Sequence, residues 1–181
     1  MISVDSFLEK KKRLTSEKKV PQPFVSSAQK FHFIWIFECD PNEVLRLRNA
    51  DNVLNMTSAI RKISPAEHAN FINRYALIPR IDFMIVNDEE NISIGGVNLC
   101  LTDRGLEIGK YIGESRYLGR GIAKEAMFSF LNFLREEFHG IEILARTRRD
   151  NSRNIHLNSK LGFSLCDDLG DEFILMKLKF D

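Results

Sequence analysis

Two glycines and two arginines between residues 116 and 123 form a segment that could hold an anion. The segment reads Arg116-Tyr117-Leu118-Gly119-Arg120-Gly121-Ile122-Ala123. Glycine adopts backbone conformations closed to other residues and lets the backbone approach a ligand closely, so consecutive N–H groups can point at one anion. A helix that begins here adds its own unpaired N–H groups and the positive end of its dipole, which suits a pyrophosphate. A plain strand-to-helix turn is the alternative that these residues alone leave open.

The sequence around this segment predicts a strand before it and a helix after it. Apolar residues recur at every fourth position in the order Ile122, Ala126, Phe130, Leu134 and Phe138. This period predicts an amphipathic helix from Gly121 that ends at Gly140. Upstream, residues 81–86, 92–100 and 106–112 are three β-rich runs split by turn signals, which predicts an antiparallel meander. The Gly95-Gly96 pair in the second run marks a bulge or a close approach of backbone.

The rest of the chain predicts a mixed α+β domain. Residues 31–37 are aromatic and β-branched and predict a first strand. Cap and proline signals then predict helices over residues 41–48 and from Ser64 to about Tyr75. The last predicted elements are a strand over residues 141–145, a helix over 152–161 and a strand over 173–180. The order is β, two helices, three strands, helix, strand, helix, strand.

Composition excludes several classes of function. The 181 residues suit one domain, and 26 basic against 25 acidic side chains give a net charge of +1, so we expect no nucleic-acid partner. The longest apolar stretch, residues 31–37, is far short of the roughly 20 residues that span a bilayer, so we expect no membrane partner. Three cysteines without CxxC spacing indicate neither a disulfide framework nor a metal site. We expect a reduced, cytoplasmic protein.

Residues 1–30 are predicted to be an N-terminal extension that precedes a domain over residues 31–181. The basic run within residues 9–19 is diluted by glutamates, which favours a solvated helix or frayed tail over a basic binding arm. Pro21 and Pro23 break regular structure and separate the extension from the domain.

Two of these segments resemble the signatures of a known family. Residues 116–121 match the pattern R/Q-x-x-G-x-G/A of the GNAT superfamily of acetyl-coenzyme A-dependent acyltransferases. Residues 151–163 look like the family's second signature, N-x-x-A/S-x-x-x-x-x-K-x-G-F. The resemblance covers about residues 31–180 and implies a GNAT-like, mostly antiparallel, splayed sheet flanked by helices. The strands over residues 106–112 and 141–145 would part and leave a cleft for the pantetheine arm.

The resemblance implies that acetyl-coenzyme A is the acetyl donor and that an amine attacks its thioester directly, with no metal. Backbone N–H groups near Tyr111 and Ile112 would meet the thioester carbonyl, and one such donor can supply about 3 kcal/mol. Asn151 and Asn154 would bind the pantetheine arm, or merely cap the helix that begins there. The implied donor-binding residues are Tyr111, Ile112, Arg116, Leu118, Gly119, Arg120, Gly121, Ile122, Ala123, Asn151, Asn154 and Asn158.

The attacking amine must be neutral, so a base should take its proton. Glu107 is the candidate, since Glu107-Ile108 resembles the pair that carries the base in some family members; a solvent-facing strand glutamate is the alternative. Many members place a proton-donating tyrosine where this chain has Asn158. An amide cannot serve as that acid, which leaves water, Ser159 or no acid.

The acceptor is predicted to be a small-molecule amine. The Arg48-Asn49 pair and the Ser64-x-x-x-His68 segment resemble the PseH-type branch, which acetylates a nucleotide-linked amino sugar. Residues 109–111 also resemble that branch. The N-terminal acetyltransferases of the RimJ/RimL type are the alternative, and a non-catalytic acyl-coenzyme A sensor is another. His68 could bind an acceptor phosphate or act as a base, or it could be a helix-surface histidine without a role. A homodimer is left open.

Overall fold

A single eight-stranded sheet forms the centre of the computed structural model, which describes residues 2–56, 61–170 and 172–180. The strands run in the order β1-β2-β3-β4-β5-β6-β8-β7, and all neighbours are antiparallel except the parallel pair β5 and β6. The strands are β1 Phe24–Ser26, β2 Gln29–Trp35, β3 Arg80–Asn87, β4 Ile92–Thr102, β5 Gly105–Ile112, β6 Glu142–Arg148, β7 Ser164–Asp168 and β8 Phe173–Lys179.

Helices cover both faces of this sheet. They are α1 Val4–Ser16, α2 Pro41–Arg48, α3 Asp51–Leu54, α4 Pro65–Asn73, α5 Ile122–Glu137 and α6 Ser152–Lys160. The long helix α5 buries an aromatic stripe against the sheet, where the rings of Phe130 and Phe133 meet Phe83 edge-on. On the opposite face, α2 places Val44 and Leu47 in a smaller cluster with Met84. The predicted α+β fold class is confirmed.

Local signals placed most of these elements correctly. Asp40 caps α2, and Ser64 and Glu67 form the reciprocal capping box of α4. The meander of β3, β4 and β5 is also present. The first predicted strand ends at Trp35 rather than at residue 37, because residues 36–38 form a 3₁₀ turn in which the Glu38 carboxylate accepts the Trp35 N–H at 2.9 Å.

The glycine pair in β4 lies next to a bulge and allows the neighbouring strand β5 to approach closely. Ile85 pairs with Gly95 and Val86 with Ser93, so Ile94 is the extra residue. A side chain on Gly95 would place its Cβ 2.2 Å from the Tyr111 carbonyl oxygen on β5. The approach that the sequence indicated is therefore made by protein backbone.

The N-terminal segment forms a helix, as one of the two predicted alternatives had it, but one face of this helix packs on the core, so its predicted solvation on all sides is wrong. Helix α1 buries Phe7 and Leu14 completely, and Phe7 lies 5.9 Å from the Phe138 ring. Strand β1 pairs with β2, so the proposed boundary between residues 30 and 31 falls inside β2. The basic side chains that suggested solvation instead converge on the carboxylate of Glu137, which α5 presents at its C-terminal end.

Glu137 joins α1 to α5 through charge. Its buried carboxylate accepts from Arg13, and from Lys19 at 2.6 Å. Burial alone would raise the pKa of Glu137, but the hydrogen bonds from Lys19 and Arg13 outweigh it and lower the pKa below its usual value. A carboxylate whose folded pKa is lowered stabilises the fold above its unfolded pKa and loses that contribution as the pH falls through the folded pKa.

We predict that Glu137→Gln lowers the free energy of unfolding by about 2 kcal/mol at pH 7, because cations are left facing a buried amide. This corresponds to roughly 4–8 °C in thermal midpoint, measured by calorimetry. The control is Glu17→Gln, which removes an exposed carboxylate that also binds Arg13 and should cost less than about 1 kcal/mol. The difference between wild type and Glu137→Gln should shrink below about pH 4. Equal midpoints for the two variants at pH 7 would show that Glu137 does not hold α1.

Candidate active site

Strands β5 and β6 separate after two paired positions. Leu106 pairs with Ile143 and Glu107 with Leu144, and beyond them residues 108–112 and 145–148 run apart. The gap is a cleft of about 240 Å³. Its walls come from β5, β6 and α6, and include Glu107, Lys110, Arg146, Thr147, Arg148, Asn154 and Asn158. The splayed sheet that the resemblance implied is therefore present.

The glycine-rich segment forms a loop with free backbone donors. Gly119 and Gly121 have φ values of +75° and +76°, and α5 begins immediately after Gly121. The N–H groups of residues 119–123 have no acceptor among the described residues, whereas those of Tyr117 and Leu118 bond within the preceding turn. A Cβ on Gly119 would meet nothing within 4 Å. The loop thus offers five consecutive unpaired donors to open space, which fits a pyrophosphate group.

Two neighbouring turns hold this loop in place. The hydroxyls of Ser26 and Ser27 donate to the Arg120 carbonyl at 2.9 and 2.8 Å. Arg116 forms an ion pair of 2.6 Å with Glu90, at the turn between β3 and β4. Arg120 has no carboxylate partner in the described part of the chain, and its guanidinium lies 5.4 Å from the Tyr117 ring. Arg120 is therefore the arginine that is free to bind an anion, while Arg116 would first have to leave Glu90.

The three asparagines of the second segment have different positions. Asn151 caps α6, since its Oδ1 accepts the Asn154 N–H at 3.1 Å. Asn154 and Asn158 instead face the cleft, where both side-chain amides donate to Thr147 Oγ1, at 3.2 and 3.0 Å. The capping alternative therefore describes Asn151 and not Asn154. Which of the three bind the donor remains a prediction.

Glu107 lies half-buried in the cleft wall rather than facing open solvent. Thr102, next to it across the β4 and β5 ladder, donates a hydrogen bond of 3.0 Å to its Oε1. Tyr111 lies on the same face of β5, and its hydroxyl donates to Met84 Sδ at 3.6 Å. Burial raises the pKa of the Tyr111 hydroxyl, so this tyrosine stays neutral. The Ile112 carbonyl accepts from Asn52 on α3 at 2.7 Å.

Sequence reasoning assigned no role to Lys110, although the structure places it inside the cleft. Its ammonium donates to Asn158 Oδ1 at 2.7 Å, and burial lowers its pKa to about 8. A signal was present in the sequence. Strand alternation puts Lys110 on the face that carries the buried residues Ile108 and Ile112, where a lysine is out of place.

The predicted acceptor residues do not form one polar site. The Asn49 side chain makes two hydrogen bonds of 2.8 Å with the backbone of Ile63, donating to its carbonyl and accepting from its N–H. His68 is buried, with a lowered pKa caused by burial and by Arg48, so the surface-histidine alternative is wrong and the ring is closed to solvent. Arg48 lies half-buried above the Phe71 ring and has no carboxylate partner among the described residues. Arg48 therefore has unused binding capacity in a half-exposed position, whereas His68 Nε2, which also has no hydrogen-bond partner among the described residues, is buried.

Comparison with known proteins agrees with this geometry. The model of the acetyltransferase (GNAT) domain matches residues 35–164. The chain belongs to the GNAT family of acetyltransferases. It is 31% identical over 99 residues to an N-acetyltransferase 9-like protein of Nematostella vectensis, a match that covers 52% of this chain and 50% of that protein. The matched segment thus spans about half the length of this curated relative.

Solved structures of the family share the fold. Mycobacterium smegmatis RimJ in complex with CoA-disulfide gives a TM-score of 0.69 at 16% identity, over 88% of this chain and 86% of that one. Campylobacter jejuni N-acetyltransferase PseH gives 0.62 at 16% identity, over 83% and 99%. At this identity the likeness establishes the GNAT fold alone.

Two features are absent from the described residues. No helix among them is long and apolar enough to cross a membrane. No group of three or more histidine, cysteine, aspartate or glutamate side chains in the same residues could hold a metal ion.

We predict that Gly121→Val abolishes binding of coenzyme A, because a β-branched residue resists positive φ and the loop must rearrange. Gly140→Val is the matched control. Gly140 has a φ of +65° and open space around it, at the opposite end of α5, so it incurs a similar strain of about 1–3 kcal/mol away from the loop. Calorimetry on both folded variants should show the loss only for Gly121→Val. Undiminished affinity in that variant would remove the loop from the donor site.

Proposed function

We propose that the protein transfers the acetyl group of acetyl-coenzyme A to a primary amine. The observation that carries this proposal is the run of five unpaired N–H groups at residues 119–123, in the loop that follows β5, one of the two strands that part to form the cleft. The N–H groups of the loop, with Arg120, would hold the pyrophosphate. Asn154 would bind the pantetheine arm in the cleft, and N–H groups near Tyr111 and Ile112 would meet the thioester oxygen. The donor supplies an activated acyl group.

Glu107 is the proposed base in this reaction. An ammonium acceptor is not nucleophilic, so a carboxylate must accept its proton directly or through water. Glu107 lies in the cleft wall, and the Thr102 hydroxyl bonds one carboxylate oxygen, which leaves the other free. The presence of both Glu107 and Lys110 in the cleft favours an enzyme over a sensor, since binding alone needs no ionisable groups there. Consumption of the thioester in the presence of amines separates the two, because a sensor binds without turnover.

We predict that Glu107→Gln lowers turnover about 100-fold and removes the acidic limb of the pH–rate profile, because glutamine cannot accept the amine's proton. Affinity for coenzyme A should not change. Glu142→Gln is the control, since Glu142 is a carboxylate on the adjacent strand that faces Lys177 instead. An active Glu107→Gln enzyme with its acidic limb intact would return Glu107 to a structural role.

We further propose that the acceptor is an amino sugar carried on a nucleotide diphosphate. The support in this structure is Arg48, a half-buried cation without a carboxylate partner among the described residues, on the same side of the sheet as Tyr111. A guanidinium suits a phosphate handle because it donates in a fixed fork. Asn49 and His68, whose resemblance first pointed to this acceptor, lend less support because both serve internal packing. A peptide N-terminus is the competing acceptor.

We predict that Arg48→Gln raises the KM for a UDP-linked amino sugar about tenfold or more and leaves coenzyme A affinity unchanged, because a charge-assisted hydrogen bond remote from the amine is lost. Arg46→Gln, on the same helix, is the control. Arg46 is exposed and pairs with Glu114 at 3.2 Å, so its loss should leave the KM unaltered. Acetylation of a peptide with a free N-terminal alanine, without activity on any amino-sugar nucleotide, favours the RimJ/RimL type of acceptor.

A further inference from the structure

Lys110 is a cation inside the cleft whose partner is a neutral amide. It shares a face of β5 with Ile108 and Ile112, the face that packs against α5. Its ammonium donates to Asn158 Oδ1 at 2.7 Å, and no carboxylate of the described residues balances its charge. A buried lysine is ordinarily paired with an acid or absent. The position therefore holds a charged group that the fold alone does not require.

The amide of Asn158 is fixed so that its oxygen faces Lys110. Asn158 is fully buried, and its Nδ2 donates to Thr147 Oγ1 at 3.0 Å and points at Met176 Sδ at 3.8 Å. With the amide nitrogen committed to those partners, Oδ1 is left for the ammonium. An amide oxygen accepts a hydrogen bond but does not take the proton. Asn158 thus orients the ammonium without neutralising it.

The other charged groups that line this cleft have different assignments. They are Glu107 on β5 and Arg146 and Arg148 on β6. Glu107 is the proposed base, and an arginine keeps its protons throughout the working range. Arg148 is also paired with Asp150 at 2.7 Å. Helix α6 contributes amides only. Lys110 is therefore the proton donor that the described cleft residues provide.

We propose that the ammonium of Lys110, aimed by the Asn158 side-chain carbonyl, protonates the departing sulfur of coenzyme A, an inference that rests on the proposed function. The bond between the amine nitrogen and the acetyl carbon forms, and the carbon–sulfur bond breaks with its electron pair on sulfur. Lys110 gives one proton to that sulfur, which yields the thiol. Glu107 takes the acceptor ammonium's first proton and passes it to water, then takes the second proton that the nitrogen loses as the amide forms and releases it to water, while Lys110 regains one proton from water. Lys110 is a catalytic residue in this scheme and Asn158 a positioning residue.

Burial of Lys110 shifts its pKa into the pH range over which enzyme rates can be measured. Because the cleft walls remove water from the amine, its pKa is lowered to about 8. The group is mostly protonated at pH 7 and loses its proton as the pH rises. The rate with acetyl-coenzyme A should accordingly fall as the pH passes through about 8.

Two variants and two acetyl donors test the donor role. Lys110→Met should lower kcat with acetyl-coenzyme A roughly 10- to 100-fold, at the low end of general-acid effects because a thiolate leaves readily. It should change kcat little with 4-nitrothiophenyl acetate, whose thiolate needs no proton. Lys110→Arg keeps the charge but not the transferable proton, so it should be as slow as Lys110→Met. Full activity of Lys110→Arg would overturn the proposal in favour of a purely electrostatic role.

A readout without any donor tests the positioning by Asn158. NMR titration of the free protein, with Lys110→Met to assign the signal, should show one lysine with a pKa near 8. Asn158→Asp introduces a carboxylate beside the ammonium, so the Lys110 pKa and the alkaline limb of the rate should both move to higher pH. An alkaline limb that stays in place while the Lys110 pKa rises would show that the limb does not report Lys110, and would contradict the proposal. Acetylation of Lys110 itself, detected by mass spectrometry after incubation with acetyl-coenzyme A, would identify a nucleophile and contradict the proposal.

These experiments distinguish failure of the Lys110 proposal from failure of the proposed function. The acceptors are the UDP-linked amino sugar and the alanine peptide named above. A wild type that acetylates neither, under any condition in which it binds coenzyme A, refutes both proposals together. A wild type that acetylates one of them while Lys110→Met retains its kcat refutes only the role of Lys110. Calorimetry on Lys110→Met should show unchanged affinity for coenzyme A, which excludes a binding defect as the cause of slow turnover.

Discussion

The early end of the pairing between β5 and β6 is the constraint on which the site depends. Parallel strands joined by a crossover helix normally pair along their whole length, and buried backbone groups that lose a partner must find another. Here the ladder stops after Glu107 and Leu144, so both strands expose main-chain groups to the cleft. One side chain spans part of the gap, since Lys110 on β5 donates to Asn158 on α6, which in turn donates to Thr147 on β6. The remaining backbone groups are available to an extended arm that runs between the strands.

The crossover helix links this gap to the phosphate loop. The chain leaves the end of β5 through the loop at Gly119 and Gly121 and returns to β6 along α5, so the unpaired N–H groups belong to the connection between the two strands that part. On the side away from β6, β5 packs closely against the bulged strand β4. With no side chains at Gly95 and Gly96, the backbone and ring of Tyr111 lie against β4, so the end of β5 stays paired with β4 where it is no longer paired with β6.

Sequence alone predicted the features that depend on near neighbours in the chain. The capping box of α4, the period of α5 and the glycine loop are local patterns, and each is where the sequence put it. Strand β1 was not predicted, because Ser27 and Ala28, both with positive φ, form the hairpin turn without glycine. Strand β7 was not predicted, because all its residues are exposed and its sequence does not alternate between apolar and polar side chains.

The side chains whose environment was predicted wrongly, or whose role was missed, have another feature in common. The charges of α1 looked solvated until Glu137, more than a hundred positions away, supplied their partner. His68 looked like a surface residue because the helix that buries it, α2, comes from a separate segment. Lys110 had no role because its partner on α6 lies 48 positions further along the chain. In each case the residue type was visible in the sequence, and the partner that decides its chemistry was not.

The spacing of Glu107 and Lys110 gives the cleft two chemically different sides. Residues three apart on a strand point to opposite faces of a sheet, so the carboxylate and the ammonium cannot meet around an intact strand. Tyr111 and Arg48 lie on the carboxylate side, and α5 and α6 lie on the ammonium side. Where the sheet opens, both faces reach the same gap. An acceptor that enters from the Arg48 side would give up its proton to Glu107, while the sulfur between the strands would receive one from Lys110. The two groups would not neutralise each other, because the β5 backbone stands between them.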